Sequence, residues 1–441
     1  MSFHTYKEYK NTGVEWLGKL PAHWDVFPLK AGFNLMKRPP PENCGVVTAF
    51  RDGEVTLRSN RRMDGFTEAF QEIGYQGVEP DDLVIHAMDA FAGAIGVSDS
   101  KGKSTPVYSV CEPKKDYFSR YYGLVLRHIA LAGYIQSLAK GIRERSTDFR
   151  WSDAKNIPVP HPSIDEQKTI INFLDYEAAK IDTLVAEQEK LIELLKEKRR
   201  TVISRAVTKG LDLTIKMKYS GVEWLGEVPD HWVVKKIKFV VDVLASNVDK
   251  KTYEGDTPCL LCNYTDVYYN DQIVKDMEFM SATATPEQIN KFTLRKGDVI
   301  ITKDSESPDD IAIAAYVPID LTGVVCGYHL SIIRAFEING MFVKRLFDSH
   351  YLKSKFATLA NGLTRYGLGQ HSINNVYIPI PPEEEQQQIV DFITKTCNGI
   401  DDLIDKSKTS INLLTERRLA LISAAVTGQI DVRNYQAKDI A

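Results

Sequence analysis

The chain has 441 residues, 43% hydrophobic and 26% charged, with a net charge of -4. That is room for two or three domains with ordinary cores in a soluble globular class, and no run of 18 apolar residues exists to span a membrane. The start, MSFHTYKEYKNTG, lacks an apolar signal core and the six cysteines are scattered, which points to a reducing cytoplasm; the charge total leaves nucleic acid open, since binding needs a local basic face only.

In chain order, residues 13–30 read GVEWLGKLPAHWDVFPLK, with Trp16 and Trp24 as packing anchors. The stretch 25–155 reads as mixed β with a helix near its end. Leu83–His86 and Gly123–Arg127 are predicted strands. The helix is predicted to end at Leu138-Ala139-Lys140-Gly141, glycine closing it. The loop that follows carries Arg143, Arg145 and Arg150. Arginine can grip guanine O6 and N7 with both arms, and hydroxyls and backbone amides suit phosphate. Lys101 and Lys103, in SDSKGKS, are candidate phosphate contacts, and His86 is a candidate for the same groove. Each could equally be an ordinary surface or core residue.

From Pro162 to Lys209 there is neither proline nor glycine, and apolar residues from Ile170 to Ala206 recur at helical spacings. Ser163 with Glu166 resembles a capping box, and Lys209-Gly210 a helix stop. Such a helix would be roughly 60–70 Å long.

Residues 221–238, GVEWLGEVPDHWVVKKIK, then repeat the opening with eleven of 18 positions identical. The stretch 235–376 again reads as mixed β, with strands at Val299–Thr302 and Ser331–Ala335. A helix ends at Leu359-Ala360-Asn361-Gly362, and a loop carries Arg365, Tyr366, Gln370 and His371. Glutamine can hold adenine N6 and N7. Lys303 falls where the first head has His86. Residues 342–375 hold five Lys/Arg against one acidic residue, a candidate basic face.

Finally, residues 385–431 align without a gap on 166–212, matching at 18 of 47 positions. Glu166-Gln167 recurs as Glu385-Gln386, Ile181-Asp182 as Ile400-Asp401, and Arg199 as Arg418. Each helix is the other's natural partner in a coiled coil. The fold class expected is α+β: two mixed α/β domains in a pseudo-two-fold arrangement, separated by two long antiparallel-packed helices. Such heads should meet DNA about one helical turn apart, roughly 34 Å. Glu166, Gln167, Arg199, Glu385, Gln386 and Arg418 are candidates for partner docking or for pairing between the spacer helices.

No catalytic constellation competes. GVSDSKGKS at 96–104 has five residues between its glycines where a phosphate loop needs four. Asp81 with Glu112 and Lys114 mimics a nuclease set, but Pro113 is awkward in a central strand. Cys259-x-x-Cys262 and Cys326-x-x-His329 have metal spacing, yet sit in apolar stretches that read as core strands.

The opening YKNTGVEWLGKLPAHW, its second copy and the twin Glu-Gln helices resemble the specificity subunit of type I restriction–modification systems. The resemblance spans essentially the whole chain. It implies target-recognition domains at 1–156 and 213–376, and spacer-helix repeats at 157–212 and 377–441. Each head would read one half of a split site in double-stranded DNA, and the helices would set the gap. Two modification (methyltransferase) subunits would dock, and a restriction/translocase subunit would join. This chain would bind no cofactor and catalyse nothing; S-adenosylmethionine, ATP and Mg belong to the partner subunits. Two other readings stay open: a scaffold without DNA contact, and a self-sufficient nuclease or methyltransferase.

Overall fold

A computed structural model describes residues 3–61, 65, 72–138 and 148–435 of the chain. Two compact units emerge, residues 1–188 with 409–441 and residues 189–408. The divisions fall inside the two long helices, Ile164–Lys209 and Glu383–Val426. Each unit therefore holds one head and a stretch of each helix. Among the described residues no helix is long and apolar enough to cross a membrane.

In the first unit, β1 (Asp25–Pro28) leads to β2 (Phe33–Leu35), β3 (Leu83–His86), β4 (Ile95–Val97) and β5 (Tyr108–Pro113). Strands β2, β5, β3 and β4 form an antiparallel sheet in that order. Helix α1 (Ser119–Leu131) covers it; after α2 (Trp151–Ala154), β6 (Pro158–His161) returns to pair with β1. The strand expected at Gly123–Arg127 is thus the middle of α1. Tyr121, Tyr122, Val125, Leu126 and Ile129 are buried at spacings of three and four, so the helical face outweighs the short aliphatic run Leu124–Leu126. A short apolar run cannot by itself tell a strand from a buried helix.

The second unit repeats the plan. Its strands are β7 (Val233–Lys236), β8 (Val241–Ala245), β9 (Thr257–Cys262), β10 (Val299–Thr302), β11 (Ala314–Tyr316), β12 (Leu321–Cys326) and β13 (Leu330–Ala335). Helices α3 (Gly340–Asp348), α4 (His350–Leu359) and α5 (Gln370–Asn374) and strand β14 (Tyr377–Ile380) complete it. The sheet order β8-β13-β10-β11 is the counterpart of β2-β5-β3-β4, and β14 pairs with β7 as β6 does with β1. A second four-stranded sheet, built around β9 and β12, is this head's own addition.

Each unit is closed by its opening motif. Trp24 and Trp232 are fully buried, each removing on the order of 200 Å² from water, or about 5 kcal/mol at ~25 cal/mol/Å². Trp24 lies under Gly428 at the end of the second long helix, and Trp232 under Gly210 at the end of the first. Both glycines are left-handed, with φ of 68° and 74°, as a helix stop of this kind requires. A Cβ on Gly428 would fall 2.5 Å from Pro21.

The helix stretches pack antiparallel within each unit. Ile170, Phe173, Leu174 and Ile181 share one core with Leu421, Ala425 and Val426. Ile203, Ala206 and Val207 share the other with Ile389, Ile393 and Cys397. The duplicated ionic residues pair crosswise, Arg418 to Asp182 at 3.0 Å and Arg199 to Asp401 at 3.3 Å. These pairs are partly exposed, so each contributes roughly 0–1 kcal/mol and serves register more than stability.

Candidate nucleic-acid interface

In the second head, the short strand Asp304–Ser305 pairs with Tyr366–Gly367, which sets Lys303 opposite Leu368 at one end of the ladder and leaves Arg365 at the other. The Lys303 ammonium lies 3.3 Å from the Asp304 carboxylate, which also accepts from His329 Nδ1 at 2.8 Å. Arg365 is exposed, and no carboxylate among the described residues pairs with it. Tyr264 and Tyr268 stack beside this cluster at 5.4 Å. The Tyr268 hydroxyl donates to Asp310 at 2.6 Å, and that bond pushes its pKa up to about 12. An exposed guanidinium near half-buried aromatic rings suits guanine or phosphate.

In the first head, the loop after β3 meets the start of α2. An open groove of about 1280 Å³ is lined there by Lys37, Met88, Arg150, Trp151 and Lys155. Arg150 is exposed, and its Nε lies 2.8 Å from both oxygens of Asp148. Arg143 and Arg145 lie outside the described residues. Lys37, Met88 and Lys155 escaped the sequence reading because nothing in their local pattern marks them; the fold alone gathers them.

One backbone bond shows that the two loops are counterparts. Phe149 N–H donates to the Ala87 carbonyl at 3.0 Å in the first head, and Leu368 N–H to the Lys303 carbonyl at 2.8 Å in the second. Each bond ties the turn after a central sheet strand to the loop before the short helix. Phe149 and Leu368 are both buried beneath it.

Other candidates move. Lys101 pairs with Glu79 at 2.9 Å and Lys103 with Glu72, on a two-stranded ribbon whose lysines do not line the groove. The Gln370 amide donates to the Val243 carbonyl at 2.7 Å, so it holds α5 on β8 and its donor is not free for adenine. His371 is exposed at the start of α5, its ring 3.3 Å from the Asn375 amide. His86 accepts the Met88 and Asp89 amides at Nδ1, 3.2 and 3.0 Å away, and burial lowers its pKa. The basic face expected over 342–375 is largely internal. Lys344 and Arg345 are buried and bonded to Asp271 and Asp348, and Lys355 lies 4.9 Å over the Trp224 ring.

The Glu-Gln pairs, offered as docking candidates, have polar atoms that bond inside their own units. Glu166 accepts from the Tyr6 hydroxyl at 2.8 Å and binds His23 at 3.0 Å. Glu385 binds His231 at 2.8 Å and the Trp232 indole at 3.0 Å. Gln167 accepts the Phe118 amide at 2.8 Å and donates to the Asp116 and Pro162 carbonyls. Gln386 accepts the Asn339 amide at 2.8 Å and donates to Pro381. Arg199 and Arg418 join the helices, as above.

The near-miss motifs resolve similarly. Cys262 and Cys326 face each other across the parallel pair β9 and β12, and burial raises both thiols. His329 turns to Asp304, and Glu112 to Arg38 at 3.1 Å. Among the described residues no group of three His, Cys, Asp or Glu is placed to hold a metal.

Comparisons with known proteins agree on one likeness. Residues 229–413 match the family model of the type I restriction modification DNA specificity domain. The MjaVIII specificity subunit of Methanocaldococcus jannaschii is 24% identical over 94% of this chain and 95% of its own length. The EcoKI specificity subunit of Escherichia coli strain K12 is 22% identical over 91% of this chain and 89% of its own. Among solved structures, a chain of a type I R-M system, studied for its assembly and conformational transition, superposes with a TM-score of 0.67 at 14% identity, over 92% of this chain and 98% of its own. The HsdS subunit from Thermoanaerobacter tengcongensis gives 0.53 at 14% identity, over 93% and 98%. Residues 229–413 thus match the type I restriction modification DNA specificity domain, and the chain as a whole is similar to specificity subunits of type I systems.

Proposed function

We propose that the chain is the DNA-reading subunit of a type I restriction–modification complex, each head reading one half of a split site. The observation that carries this is the shared loop pair, tied by the same backbone bond in both heads but furnished differently. The first head presents Met88, Arg150 and Trp151 there, the second Lys303, Arg365 and Tyr366. A common frame with distinct donors is what two different half-sites demand. The long helices act as the spacer between the half-sites. Methyltransferase subunits, in two copies, and a restriction subunit supply the chemistry with S-adenosylmethionine, ATP and Mg, and this chain supplies none. Single-molecule sequencing of methylated DNA, from cells expressing the chain with its modification partner, tests the reading. The expected result is a split motif with one methyladenine on each strand, of which only one half changes when residues 25–155 are exchanged. A continuous motif, or none with an active partner present, would refute it.

A further inference from the structure

The two heads differ at one matched place. Phe118 N–H bonds to Gln167 and Asn339 N–H to Gln386, so α1 and α3 share a register. Gly123, Leu124 and Arg127 therefore stand where α3 has Lys344, Arg345 and Asp348. In the second unit the space is filled. Lys344 and Arg345, 1% and 4% exposed, both reach Asp348 and Asp271, the latter delivered by the loop between Tyr268 and Met280. In the first unit the same place is hollow among the described residues. A cavity of about 620 Å³ opens between α1 and the second long helix, beside a neighbour of about 310 Å³ that shares Leu124, Arg127, Leu419 and Ile422 with it.

Most of the charges around this cavity are matched. Arg120 binds Asp175 at 2.8 Å, Arg418 binds Asp182 at 3.0 Å, and Asp52 and Glu54 bind Arg61 at 2.7 and 3.1 Å. Arg127 has no carboxylate partner among the described residues. Its Nε is buried without a hydrogen bond, and one Nη reaches only the Arg51 carbonyl, at 3.5 Å. Burial holds its pKa below the usual arginine value, although the Asp52 carboxylate opposes the shift from beyond bonding distance. The walls beside it are apolar, and Leu131 and Leu419 are 48% and 45% exposed.

We propose that this groove receives a polypeptide segment of the modification subunit, which presents one carboxylate to Arg127 and seats its flanking apolar side chains on Leu124, Leu131 and Leu419. A peptide is the fitting occupant because in the second unit a peptide loop brings Asp271 to the matching place. The inference rests on the specificity-subunit reading and names a contact surface for it.

The test is a photo-crosslinking residue at Leu419 in the full chain, co-expressed with its modification subunit, together with the affinity of the purified pair. A crosslink to a modification-subunit peptide that carries Asp or Glu is expected. Arg127→Gln and, separately, Leu419→Glu should each weaken the pair about tenfold or more with the unfolding midpoint unchanged. Unchanged affinity in both variants, or a crosslink confined to the chain itself, overturns the groove and leaves the DNA reading standing. A wild-type chain that takes up no modification subunit overturns the groove and the partner reading together, while a gel shift with DNA still judges the heads.

Discussion

Gln167→Ala separates a structural Glu-Gln clip from a docking one. The Gln167 side chain is fully buried and makes three hydrogen bonds. One of them satisfies the Phe118 amide, which opens α1 and has no intrahelical acceptor. At roughly 1 kcal/mol for each bond lost, truncation should cost about 3 kcal/mol. That is a large share of a domain's typical 5–15 kcal/mol. It corresponds to roughly a hundredfold rise in the open population of the first unit. Hydrogen exchange by mass spectrometry on the full chain reads this directly: peptides covering 116–122 should exchange about a hundredfold faster, while those covering 337–345 keep their wild-type rates. If both regions stay within about 0.5 kcal/mol of wild type and binding of the modification subunit falls instead, the clip is wrong and the residue is a docking contact.

Arg365→Ala should weaken binding to the cognate site by about 1–3 kcal/mol if it touches a base, or reduce the salt slope by about one if it touches phosphate; fluorescence anisotropy across a salt series decides, and no change removes it from the interface. Lys344→Ala should leave that affinity alone and lower stability by about 1–3 kcal/mol, read by urea unfolding, because it leaves Arg345 as the one cation on Asp348 and Asp271 among the described residues. Burial holds His86, His128 and His161 below the ordinary histidine value of 6.5. The unfolded chain then binds more protons at acid pH, so their stabilisation is full above about 6.5 and declines as pH falls below it. Exchange in the first unit, corrected for intrinsic rates, should accelerate between pH 7.5 and 5.5, and a flat profile refutes the account. Inserting seven residues at 188/189 and at 408/409 should lengthen the spacer by about 10 Å and widen the methylated gap by about three base pairs, with both half-sites intact; altered half-sites with an unaltered gap would end the ruler reading.

What was legible in the sequence was whatever follows from local pattern. The long helix was readable from Ile170 to Ala206 because its apolar period continues without proline or glycine, and Gly210 marks its end. Leu83–His86 and Val299–Thr302 were readable as β-branched runs between turn residues. The run at Gly123–Arg127 failed because Leu124, Val125 and Leu126 look alike in a strand and in a buried helix, and only the tyrosines before it reveal the helical face. The basic face at 342–375 failed for another reason. A charge count does not disclose that Asp271, some seventy residues away, neutralises Lys344 and Arg345. Likewise Glu166-Gln167 was visible as a repeat, but its partners, Tyr6, His23 and the Phe118 amide, are brought to it only by the fold.

The placement of the unit boundaries has a consequence for biogenesis. The second unit is one unbroken stretch, residues 189–408, whereas the first needs residues 409 onward to complete its core through Leu421, Ala425 and Val426. As the ribosome lengthens the chain, the head made first must wait with an unfinished hydrophobic core, and the head made second closes before it. Maturation therefore runs opposite to synthesis. A premature stop shortly after residue 408 would spare the later head and leave the earlier one exposed to proteases.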